Sequence, residues 1–197
     1  RQSTNCPQIH KKLLQAAQSF AILPLFAIAS PSVIIPGLVI STETPQATTS
    51  QAIVLDEGAR TQALREERAA KIDAYYGKYK LPLTGYGMKM VLKAEEHNLD
   101  WRLLPAIAMR ESTAGKFACY NNPFGWGSCK IKFKNFDDAI DSVAANLGGK
   151  NPRTEMYYKD KTTEQKLHYY NGTVIKTYVV EIVKIMDKIG STTVVSL

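Results

Sequence analysis

At 197 residues the chain has room for one domain of ordinary size and a tail, and it is short for two full domains. Apolar residues make up 45 % and charged residues 22 %, which supports a hydrophobic core and excludes wholesale disorder. Three of the 25 basic residues (Arg1, Lys11 and Lys12) precede residue 43, leaving 22 against 18 acids from Glu43 onward, a mild positive excess that suits an anionic polymer such as a bacterial wall.

In chain order, the first feature is a stretch without Asp, Glu, Lys or Arg between Lys12 and Glu43. It holds Phe20 to Ala29 and Val33 to Ile40, comes after His10-Lys11-Lys12, and leads into a Ser/Thr/Pro/Gln run. Residues 19–40 are long enough to span a bilayer as an N-terminal hydrophobic helix, despite three prolines. Residues 20–29 with Ala27-Ile28-Ala29 also fit a cleavable secretory signal. Either reading exports the chain from residue 41 onward, as a membrane-anchored protein facing the cell wall or as a secreted one. The basic flank leaves residues 1–18 in the cytoplasm. With export and no basic-aromatic module of a known kind, nucleic acid is not an expected partner.

Residues 41–55 read as a polar linker. From 56 to 80 a charged, alanine-rich run with Leu64, Ala69, Ile72 and Tyr75-Tyr76 at helical intervals predicts a stalk or the first helix of the domain, stopped by Leu81-Pro82. The main domain is expected over 81–197. A helix over 85–97 carries Met88, Val91, Leu92 and Glu95 on one face. Asp100 is placed as N-cap of a helix from Trp101 to Ser112. A long Gly/Asn/Pro-rich loop, Thr113 to Phe133, comes next, with strand-like alternation at Ser128 to Phe133 that leaves room for a small β-hairpin. Asn135 caps a helix through Leu147. Lys150 to Lys161 reads as irregular, Thr162 opens a short helix to Tyr169, and Thr173 to Ile189 forms the last helix with Val174, Tyr178, Ile182, Ile185 and Ile189 on one face. The fold class is mainly α.

Cys119 and Cys129 are the two cysteines beyond the apolar stretch, and they bracket part of the loop. In an oxidising compartment they favour a disulfide, with two free thiols as the alternative. His97 and His168 stand apart, no His/Cys cluster has metal-ligand spacing, and neither metal nor cofactor is expected.

The chemistry-bearing position is Glu111. It comes three, four and seven residues after Ala108, Ile107 and Leu104, which places it on their face of the helix. Burial and the negative end of the helix dipole both disfavour the ionised form there, as a general acid requires. The competing reading is a partly exposed Glu paired with Arg110 or Arg102.

Several short motifs carry a resemblance. Leu104 to Ser112, ending in Glu111-Ser112, is similar to the catalytic helix of lysozyme-like wall enzymes. Asn121-Asn122-Pro123-Phe124-Gly125-Trp126-Gly127 resembles the Asn-x-Phe-Gly loop of bacterial glucosaminidases, and Phe133 to Val143 resembles the segment after it. Tyr169-Tyr170-Asn171-Gly172 is similar to the Tyr-Asn-x-Gly turn of lytic transglycosylases. The resemblance covers residues 82–190. It implies that 81–197 is a lysozyme-like helical domain that cleaves β-1,4 bonds in peptidoglycan glycan strands, with Glu111 as general acid; a monomer is the expected state of the chain. It also implies substrate-binding roles for Ser112, Asn122, Phe124, Gly125, Trp126, Tyr169, Tyr170 and Asn171. The residues themselves leave other readings open: Phe124 and Trp126 as core aromatics, Asn171-Gly172 as a turn, and the whole as a non-catalytic wall-binding module or a protein scaffold. Glycoside hydrolysis commonly uses two carboxylates, and Asp137, Asp138, Asp141 and Glu155 are available for the second, whereas lytic transglycosylases act with one Glu.

Overall fold

The computed structural model describes residues 47–194. The expected anchor or signal at 19–40, the segment before it and the linker up to residue 46 lie outside the described residues. Among the described residues, no helix is long and apolar enough to cross a membrane.

The described chain is mainly α: α1 (Ala47–Gly77), α2 (Gly87–Glu96), α3 (Leu103–Ser112), α4 (Phe136–Leu147), α5 (Glu155–Tyr158), α6 (Thr163–Leu167), a π-helical turn (His168–Gly172) and α7 (Tyr178–Gly190). No strand occurs among the described residues. The hairpin expected in the long loop reduces to one antiparallel bridge, Cys119 with Asn122. Ser128 and Cys129 adopt left-handed backbone angles, which interrupt the extended run that alternation suggests.

α1 starts well before residue 56, so positions 47–55 of the expected linker are helical. Ser, Thr and Gln cost only tenths of a kcal/mol each in a helix interior, and extension of an existing helix is cheap. Its C-terminal part is no free stalk. Ala69, Ile72 and Tyr76 are buried in the same core as α3 and α7, so a domain boundary at residue 81 cuts through a packed unit. Leu64 lies outside that core and is exposed. Close packing of α2 on α1 depends on Gly87, where a Cβ would meet the Ala69 carbonyl oxygen at 2.3 Å. Asp73 of α1 accepts the Gly85 and Gly87 N–H groups at 2.8 and 3.0 Å, satisfying donors at the start of α2. The buried face of α2 is Gly87, Met90, Val91 and Ala94, rotated from the expected one, and Leu92 is exposed.

α3 runs through the middle of the core. Leu103 to Ala108 are all buried, so this helix is apolar on every side instead of along one stripe. It begins at Leu103, later than expected, because Asp100 accepts the Arg102 N–H at 2.8 Å and closes a turn ahead of the helix instead of capping it. α4 begins as expected: Asn135 Oδ1 accepts the Asp138 N–H at 2.9 Å, with Asp137 and Asp138 in the first turn. α6 opens with a reciprocal capping box between Thr162 and Gln165. Residues 173–177 lie ahead of α7, so the last helix is shorter than expected, and Val174 is 79 % exposed. Tyr178, Ile182, Met186 and Ile189 recur every three or four residues and pack α7 against α3.

Candidate active site

α3 ends where the site begins. Thr113 takes left-handed angles and terminates the helix, leaving Glu111 in its last turn. Glu111 is half-buried, not part of the core, and lines a groove of about 490 Å³. Gly125, Trp126, Gly127 and Ser128 of the long loop line it from one side. Thr154, Tyr157 and Tyr158 around α5, and Tyr169, Tyr170 and Asn171 from the π-helical turn, complete it. Among these residues Glu111 is the single carboxylate.

Packing of α7 on α3 sets the carboxylate's partner. Tyr178 donates its phenolic O–H to Glu111 Oε1 at 2.7 Å. Burial, then the neighbouring Tyr170 and Glu111, push the Tyr178 phenol far above its ordinary value, so it stays a donor. The Tyr170 ring stacks on Tyr178 with centroids 6.1 Å apart and planes 8° from parallel. Tyr170 in turn donates to the Phe124 carbonyl at 2.6 Å, and burial and the Glu111 charge hold its phenol well above the ordinary value. Arg110 does not pair with Glu111: its Nε lies 2.6 Å from Glu181 Oε2. Arg102 pairs with Asp100 and Asp187. Both arginines of the competing reading therefore have other partners. The carboxylate faces the groove with a phenol as its side-chain hydrogen-bond donor.

The loop wall is fitted to that carboxylate. Gly125 has φ +63°, and a Cβ there would sit 3.1 Å from Glu111 Oε2, so a side chain at this position would be strained and would displace the carboxylate by a few tenths of an ångström. Trp126 packs on Tyr170 and Tyr158, with centroids 5.4 and 5.9 Å away. Tyr157 and Tyr169 pair at 5.4 Å. Both are more than two-fifths exposed, which leaves ring surface open to a ligand. Burial raises the Tyr158 phenol to about 12.

Five of the expected site residues thus join Glu111 in the groove: Gly125, Trp126, Tyr169, Tyr170 and Asn171. Three do not. Ser112 is buried; its hydroxyl donates to the Pro123 carbonyl at 2.7 Å and accepts the Gly115 N–H at 2.9 Å. Asn122 is 1 % exposed; its side chain donates to the Trp126 carbonyl and accepts the Trp126 N–H, closing the turn that presents Gly125. Phe124 is wholly buried and serves the site through its carbonyl, which holds Tyr170. These three side chains hold the loop in shape and do not line the groove. Cys119 and Cys129 form a disulfide with Cα atoms 6.0 Å apart, closing the loop between them.

No family model, curated protein or solved structure matches this chain.

None of the four candidate second carboxylates reaches the groove. Asp137 and Asp138 sit in the first turn of α4, Asp141 bonds Lys89 and Lys93, and Glu155 lines a different hollow beside His97. Among the described residues no His/Cys/Asp/Glu group of three could hold a metal ion. The short motifs do not include Tyr178, Tyr157, Tyr158 or Thr154. For Tyr178 the sequence does hold a signal: it opens the apolar face of the last helix and carries a hydroxyl that a buried position must satisfy.

Proposed function

We propose that this chain cleaves β-1,4 glycosidic bonds of bacterial peptidoglycan, with Glu111 as the general acid of a lysozyme-like helical domain. The observation that carries the reading is a single half-buried carboxylate, bonded by a phenol, in a groove walled by aromatic rings. Aromatic faces stack on the apolar faces of pyranose rings, and Asn171 and Thr154 offer amide and hydroxyl partners for N-acetyl and hydroxyl groups. Proton donation by a positioned carboxylic acid is what departure of a glycosidic oxygen requires.

The lone carboxylate favours the lytic transglycosylase type over two-carboxylate hydrolysis. Glu111 gives its proton to the bridging oxygen as the bond from the anomeric carbon to that oxygen breaks. A hydroxyl of the same sugar then attacks the anomeric carbon, and its proton returns to the Glu111 carboxylate. The product carries an internal anhydro ring, and no water is consumed. The Tyr178 hydrogen bond holds the carboxylate in place through both transfers. Export by the 19–40 segment, as an anchor or a signal, would put this activity at the wall.

Mass spectrometry of the fragments released from purified sacculi tests the chemistry. Anhydro-ended fragments are expected. Fragments with reducing ends would replace this mechanism with hydrolysis, and binding to sacculi without any released fragment would leave a non-catalytic wall-binding module.

A further inference from the structure

Beyond the groove, the loop carries a second feature. From Ser112 to Phe136 the sequence has no acidic residue but holds Lys116, Lys130, Lys132 and Lys134. All four are exposed, and none makes an ion pair with a carboxylate among the described residues. Between them stand three of the large exposed apolar side chains of the molecule: Phe117 is 70 % exposed, Tyr120 59 % and Ile131 40 %.

This surface is held in one piece. The disulfide ties residue 119 to residue 129. The Phe133 N–H donates to the Tyr120 carbonyl at 3.1 Å, and the Asn121 side chain donates to the carbonyls of Phe133 and Lys134 at 3.1 Å each. Lys132 Nζ lies 4.5 Å from the Tyr120 ring centroid. The patch is also continuous with the groove: Gly127 and Ser128 line the groove, and Ile131 packs so closely on Gly127 that a Cβ there would approach it to 2.9 Å.

Continuity with the groove sets the occupant: a polymer lying in the groove runs on past Gly127 and Ile131 across these lysines, whereas a flat bilayer surface would meet the patch alone.

We propose that this basic, aromatic-studded face is an extension of the substrate site that binds the carboxylates of peptide side chains carried by the glycan, so that the substrate is a peptide-substituted, anionic strand and not a bare one. Unpaired exposed lysines next to apolar rings suit a chain that alternates sugar faces with charged peptide ends, and their attraction should weaken with salt. This rests on the glycan reading of the groove.

The test compares two preparations of glycan strands, one with peptide side chains intact and one with them removed by an amidase and the sugar carboxylates that this exposes capped as neutral amides. Co-sedimentation or affinity electrophoresis reads binding, and fragment release reads cleavage. For the full chain with Lys130→Gln, Lys132→Gln and Lys134→Gln together, we expect binding to peptide-bearing strands to fall about tenfold at low salt. Binding should lose most of its salt dependence, while binding to peptide-free strands stays unchanged. Thermal unfolding at the wild-type temperature checks that the triple variant is folded. Equal, salt-independent binding of the wild-type protein to both preparations would overturn the inference, as would a triple variant that keeps the preference. Failure of the groove reading looks different: a wild-type protein that binds peptide-bearing strands with salt sensitivity yet cleaves neither preparation.

Discussion

Two regions meet at Glu111 and are held in different ways. α3 and α7 form a contact of buried apolar residues at helical spacing, and they fix the carboxylate and its Tyr178 partner by packing. The loop from 113 to 133 has no regular structure, and Thr113, Ala114, Tyr120, Asn121, Ser128 and Cys129 all take positive φ angles there. It keeps its shape through Ser112, Asn122, Phe124 and the Cys119–Cys129 disulfide. A single loop motif therefore contains two kinds of residue. Those with satisfied, buried groups are braces, and those with open ring faces form the wall that a ligand would meet.

The largest expected effect that separates the two comes from Phe124→Ala. Removing a wholly buried ring should cost about 3–5 kcal/mol of stability. Chemical denaturation would show it, and a loss under about 1 kcal/mol would mean that the loop is not braced from within. Reduction of the Cys119–Cys129 bond, or its replacement by two serines, should cost about 2–3 kcal/mol, as the cross-link restricts a loop of sequence separation 10 in the unfolded chain. Asn122→Ala leaves the Trp126 N–H and carbonyl without their partner and should cost about 1–3 kcal/mol. On the wall side, Tyr169→Ala should change stability by less than about 0.5 kcal/mol, since the ring is 42 % exposed. The expected loss there is in glycan affinity, read as a raised KM or weaker co-sedimentation; a large fall in melting temperature instead would make Tyr169 a brace.

The packed region also predicts a pH response. Burial raises the phenols of Tyr76, Tyr170 and Tyr178 above the ordinary value of 10.0. The folded state therefore holds protons that the unfolded state releases above about pH 10. Stability from these groups is full below that value and is lost progressively as pH rises above it toward the raised values of the folded protein. Denaturation midpoints should decline from about pH 9.5 to about pH 11.5, and a flat profile there would mean that the phenols ionise freely in the folded protein.

Much of the helical scaffold is legible in the sequence because apolar spacing and caps act locally. Asn135 as a cap and Thr162 as the start of α6 arise from side-chain hydrogen bonds within three residues. The face of α2 is not legible in this way. Met88, Leu92, Met90 and Val91 offer two apolar stripes, and the neighbouring α1, through Gly87, selects one of them. In the site, Glu111, Trp126, Tyr170 and Asn171 are legible as a group because short motifs place them in order. Asn122 and Phe124 look like substrate residues in the sequence because a motif does not distinguish the residue that builds a turn from the one the turn displays. Tyr157, Tyr158 and Tyr178 come from elements far along the chain, and only tertiary packing brings them to the carboxylate.

Delivery of the proton by the Glu111 carboxyl group is the step on which the glycosidase reading stands, and Glu111→Gln isolates it. Gln keeps the shape and an oxygen for the Tyr178 donor, so the melting temperature and helical spectrum should match the wild-type protein. Fragment release from purified sacculi should meanwhile fall by a factor of about 10² to 10⁴. A folded Glu111→Gln protein that releases fragments at the wild-type rate would remove Glu111 from the chemistry.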